Sequence, residues 1–167
     1  MRHLFRHTVF TALLILFSQS IIAQKVSYSY KLLAAEGCTM DYNVVKQDTA
    51  YYIIATVTSD RMTFLNEPTM KVRTFEDEVI TLDGVNIGNG SESMGVVINN
   101  LVLPVTEIKS TAQFAITQEQ LKKLKSGIAK IRLSMTPMDH ERTFNKDKIG
   151  KKLYELYQKA NDKDSDF

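Results

Sequence analysis

The chain has 167 residues, 44% of them hydrophobic and 24% charged, with 21 basic and 19 acidic side chains. That profile fits one globular domain and excludes collagen-like, low-complexity and wholly disordered classes. A single cysteine excludes an internal disulfide and any zinc or iron–sulfur centre built from several cysteines.

Residues 1–23 have the layout of a secretory signal peptide. Arg2 and Arg6 form a positive start, residues 9–17 an apolar stretch, and Ala23 a small residue before Gln24, which places cleavage between Ala23 and Gln24. The apolar stretch is far shorter than the roughly 20 residues of a membrane-spanning helix, so no transmembrane segment is expected once the leader is removed. Removal takes Arg2 and Arg6 from the 21 basic residues and leaves basic and acidic side chains equal in number. A neutral chain loses the electrostatic basis for nucleic-acid binding, and no such partner is expected.

Residues 25–32 alternate apolar and polar, the mark of a half-buried antiparallel strand. Residues 40–45 form a weaker strand candidate, and 49–58 (TAYYIIATVT) suit a central strand. Pro68 opens the next strand, 69–75, and 79–82 form its hairpin partner across Glu76-Asp77-Glu78, with Asp83-Gly84 closing that unit. Residues 88–95 (GNGSESMG) read as a flexible loop, after which 96–105 and 112–116 return to strand chemistry. Thr117 with Gln120 forms a capping-box pattern, Leu121 and Leu124 an apolar stripe, and Gly127 a stop, which predicts a short helix at about 117–126. Residues 129–135 alternate again up to Pro137. Ile149, Leu153, Leu156, Tyr157 and Ala160 then mark an amphipathic helix at about 146–161, with Asn145 as its cap. Residues 162–167 form a polar tail expected to fray. The expected fold is mainly β: an antiparallel two-layer sandwich over residues 24–161 with two late helices.

Three stretches resemble a family of small secreted proteins from Bacteroidota: Phe114-Ala115-Ile116-Thr117 running into a Lys/Leu-rich helix, the strand Ile128 to Arg132, and the Lys-rich run Lys148 to Leu153. Met70-Lys71-Val72-Arg73-Thr74 and the Ala23-Gln24 junction fit the same pattern. The resemblance implies an exported immunoglobulin-like or related β-sandwich. It implies no active site, because the shared motifs are helix caps and core faces.

Candidate chemistry is sparse. His140, between Asp139 and Glu141, reads as a solvated turn residue; neither a nucleophile elbow nor a second metal-ligating His accompanies it. Cys38 reads as a small buried hydrophobe. The segment 88–91 lacks the following helix that a phosphate loop needs, and Val85 and Ile87 occupy the ligand places of a would-be calcium loop. Asn89-Gly90-Ser91 is a sequon for N-glycosylation. Asp48-Thr49-Ala50 resembles an O-glycosylation signature of exported Bacteroidota proteins, with Thr49 as acceptor. Lys71 and Arg73 share one strand face, as do Lys130 and Arg132; adjacent strands would make them a four-cation face for anionic ligands. Tyr51 and Tyr52 take opposite faces, so one at most can stack on a sugar.

No catalytic residue, metal or cofactor is assigned, and the chain is expected to be a non-enzyme. The expected role is an exported, periplasmic or extracellular interaction or accessory module whose partner is an envelope protein or glycan. The alternatives are a glycan- or small-anion-binding protein, and a hydrolase working through carboxylates alone.

Overall fold

The computed structural model describes residues 24–32, 35–98 and 100–162. The expected signal peptide, with its expected cleavage after Ala23, and tail residues 163–167 lie outside the described residues. Strands β1 (Val26–Leu32), β2 (Ala35–Gln47), β3 (Ala50–Ser59), β4 (Thr69–Thr74), β5 (Val79–Ile98) and β6 (Leu101–Ile116) come first. Helix α1 (Gln118–Lys123) runs into a 3-10 turn (Leu124–Ser126), and β7 (Ile128–Leu133), β8 (His140–Thr143) and helix α2 (Gly150–Asp162) complete the fold. The mainly antiparallel β class with two helices is as the alternation and the change of period require.

The strands form one eight-stranded sheet in the order β1-β2-β3-β6-β5-β4-β7-β8, in place of two stacked sheets. The reason lies in β5. Its first residues, 79–83, pair with β4, and from Gly84 onward it pairs with β6. One strand therefore belongs to both halves, and the sheet curls into a half-barrel. Gly84 stands at the handover, where a Cβ would meet the Phe114 ring at 2.5 Å, so only glycine lets the backbone pass this close.

The concave face holds the core. Alternate residues of β3 (Tyr51, Ile53, Ala55, Val57), β4 (Met70, Val72) and β6 (Ala112, Phe114) are buried, with exposed or half-buried neighbours between them. The capping box is formed: Gln120 N donates to Thr117 Oγ1 (3.1 Å) and Thr117 N to Gln120 Oε1 (2.9 Å). The C-terminal helix starts later than its periodicity predicts, at Gly150, and Asp147 rather than Asn145 caps it. Asp147 accepts from Gly150 N (2.8 Å), Lys151 N (2.9 Å) and Ile128 N (2.9 Å), tying the helix start to β7. Burial alone would raise the Asp147 carboxyl; the backbone donors outweigh it and hold the group below its usual range. Leu153 and Tyr157 bury the apolar stripe, with Tyr157 edge-on to Tyr51 at 5.1 Å between ring centroids.

Candidate functional site

The two ends of the sheet meet through side chains. Tyr28 on β1 and His140 on β8 lie at opposite ends of the strand order, yet Tyr28 Oη and His140 Nε2 are 2.8 Å apart and their rings stack at 5.7 Å. Tyr42 Oη (3.2 Å) and the edge of Phe144 complete this seam. His140 is thus a buried strand residue, 5% exposed, and the expectation of a solvated turn is overturned. The sheet's curl, which local sequence does not encode, carries it inward. Burial, assisted by the Arg142 charge, lowers the His140 pKa to about 4, and burial raises that of Tyr28 to about 12. Both groups are neutral at physiological pH, so the seam is a polar closure of the half-barrel.

The four cations do come together. In the β4–β7 ladder Lys71 faces Arg132 and Arg73 faces Lys130, all on the outer surface. Two of them are compensated: Lys130 binds Glu141 (2.7 Å) and Arg132 binds Asp139 (2.7 Å). Lys71 and Arg73 make no ion pair with any described residue. Thr49 is exposed in the turn between β2 and β3, on the rim of a shallow hollow of about 240 Å³ formed with Tyr51, Ile116 and Thr117. Gln24 accepts a hydrogen bond from Lys159 Nζ of α2 (2.6 Å). Tyr51 is buried and Tyr52 is half-buried. Cys38 is fully buried, its Sγ 3.2 Å from Ser59 Oγ.

The feature that sequence reading missed is an arm. Residues 88–95, expected as a loop, are β-strand, and the β5–β6 ladder runs without a break from Gly88↔Thr111 to Ile98↔Leu101. Their Gly and Ser content is that of a loop, while the long-range partner that orders them, β6, begins only at Leu101. On the body of the sheet, β6 is flanked by β3 no farther than Ile108, and β5 by β4 no farther than Asp83. Beyond those limits the hairpin is two strands wide.

The arm is rooted by polar side chains. A bulge between Asn86 and Gly88 turns β5. Fully buried Ser110 donates to Asn89 Oδ1 (2.6 Å) and accepts from Leu65 N (2.9 Å), while Asn86 Nδ2 donates to Leu65 O (2.9 Å). The sequon amide of Asn89 is thus part of this root. Farther out, Lys109 bridges Glu92 (3.5 Å) and Glu107 (3.4 Å), which are register partners on the exposed arm. Past this belt the sequence carries no charge from Ser93 to Thr106. Leu101 is 61% and Val102 65% exposed, with Leu103 and Val105 also open to solvent. The ladder sets Leu101, Leu103 and Val105 on the convex face and Val102 on the other, so both faces of the tip are apolar.

Among the described residues no group of three or more His, Cys, Asp or Glu side chains could hold a metal ion, and no helix is long and apolar enough to cross a membrane. Neither the family models, nor the curated proteins, nor the solved structures compared with this chain match it.

Proposed function

We propose that this chain is an exported, non-enzymatic interaction module of the cell envelope that docks onto protein through the β5–β6 arm. The observation that carries the reading is the uncharged tip, whose large aliphatic side chains stand open on a hairpin two strands wide. A two-stranded hairpin is marginal in water by itself, and exposed contiguous apolar surface marks an interaction site. A protein surface suits this tip better than a bilayer. Each hairpin edge presents unpaired backbone groups, which hydrocarbon penalises by several kcal/mol apiece. The belt of Glu92, Lys109 and Glu107 is net acidic, whereas membrane-seated tips favour basic and aromatic flanks. Export rests on the leader in residues 1–23.

The test is Leu103→Lys in the native host. The unfolding midpoint should stay at the wild-type value, because the arm lies outside the core, while the protein leaves its high-mass assembly on native gels of envelope extracts. An assembly unchanged by the variant refutes docking through the arm. Wild-type protein that floats with phosphatidylethanolamine–phosphatidylglycerol vesicles, and loses that property in Leu103→Lys, overturns the choice of protein over lipid.

A second reading, binding of a small anion, is favoured by one observation: the register that brings Lys71 and Arg73 beside Arg132 and Lys130. Calorimetric titration with inorganic phosphate, compared between wild type and Arg73→Ala, decides it.

A further inference from the structure

The arm's two edges differ in a way that selects its partner. Ile98 and Leu101 are register partners with two residues between them, and such a loop is closed by a pair that exchanges both backbone hydrogen bonds. Alternation then makes 96↔103 and 94↔105 hydrogen-bonded pairs, and 97↔102, 95↔104 and 93↔106 non-bonded ones. Pro104, which has no N–H, falls at a non-bonded position, where its nitrogen points away from β5. The outer edge of β6 therefore lacks a donor at its centre, a natural device against strand addition. The outer edge of β5 has no such guard. Ser91, Ser93, Gly95 and Val97 present their N–H and C=O groups outward, and no described residue pairs with them.

We propose that this β5 edge pairs antiparallel with the same edge of a second copy of the chain, giving a four-stranded sheet β6-β5-β5-β6 about a two-fold axis at Met94 or Gly95. The inference rests on the docking reading above and names its partner. Three observations select a second copy. An isologous β5 pairing uses up both open edges and leaves only the two Pro104-guarded edges outside, so assembly stops at the dimer. The segment from 93 to 98 is uncharged, so self-pairing buries no unpaired ion. Glu92, the nearest charge, stays clear of its copy with the axis at 94 or 95. It then lies opposite residue 96 or 98 of the partner copy, four or six residues from the other Glu92 at roughly 3.4 Å each. An axis at Ser93 would set the two acids as diagonal neighbours, which like charges disfavour.

Light scattering on the purified chain, with the leader removed, should give twice the chain mass at micromolar concentration. Val97→Pro deletes one outward N–H on the β5 edge and should weaken the dimer at least tenfold. Thr106→Pro, on the β6 edge, should leave it intact. Because Cys38 is buried, a second cysteine reports alone: Met94→Cys for an axis at 94, or Gly95→Cys for an axis at 95, should form a disulfide-linked dimer under mild oxidation, and Ser91→Cys should form none for either axis. A monomeric wild type overturns the proposal. So does a dimer that survives Val97→Pro, one cross-linked at Ser91→Cys, or one cross-linked at neither Met94→Cys nor Gly95→Cys. A monomer whose envelope assembly is still abolished by Leu103→Lys refutes self-pairing and leaves docking onto a different protein standing, so the two failures are distinguishable.

Discussion

Acid should loosen this fold through His140, beginning just below neutral pH. The imidazole pKa is about 4 in the fold against 6.5 for the unperturbed side chain. The folded value is the lower one, so between the two values the unfolded chain binds the proton and the native state does not. The stabilisation is therefore whole above about pH 6.5 and falls as the pH drops toward 4. From pH about 7.5 to about 5, these values give a loss of about 2 kcal/mol, at 1.36 kcal/mol per pKa unit. Asp147 is out of this window: its depressed carboxyl keeps its contribution above its ordinary value of 3.8 and loses it only as pH falls below that. Urea unfolding at three pH values, for wild type and His140→Gln, isolates the effect. Glutamine keeps an amide near Tyr28 Oη and cannot take the proton. The variant should be less stable at neutral pH and nearly flat across the window, with wild type converging on it as pH falls. Parallel pH profiles for the two proteins would refute a buried, neutral His140 at the seam.

Leu153, 1% exposed on α2, should cost about 2–5 kcal/mol when replaced by Ala, whereas exposed Lys152→Ala should stay within about 0.5 kcal/mol, both read by chemical denaturation. Gly150→Ala should reverse the usual helix preference. Alanine is ordinarily favoured over glycine in a helix by about 1 kcal/mol, but here its Cβ would lie 2.5 Å from the Ile128 nitrogen, so the thermal midpoint should drop. Cys38 should react with a thiol reagent only as fast as the chain unfolds, and gels with and without reductant should show the same band; rapid labelling of native protein would contradict its burial.

Period and caps settled much of this protein from sequence alone. The alternation in 25–32 and 129–135, the hairpin across Glu76-Asp77-Glu78, the Thr117–Gln120 capping box and the Leu153–Tyr157 stripe all report contacts within one element or between close neighbours, which residue order encodes directly. The Lys71, Arg73, Lys130 and Arg132 faces were legible as two faces; that they form one ladder required the β4–β7 register. Tertiary structure decided what depends on partners far along the chain. Gly- and Ser-rich residues 88–95 are ordered by a strand that has not yet begun, His140 is buried by a strand more than a hundred residues earlier, and β5 merges two expected sheets into one. Periodicity records which face of a strand is wet but not which strand lies beside it, because pairing energy comes from backbone groups common to every residue. The arm follows from that same ambiguity: its apolar residues look like core in the sequence, and only the lengths of β3 and β4 leave them uncovered.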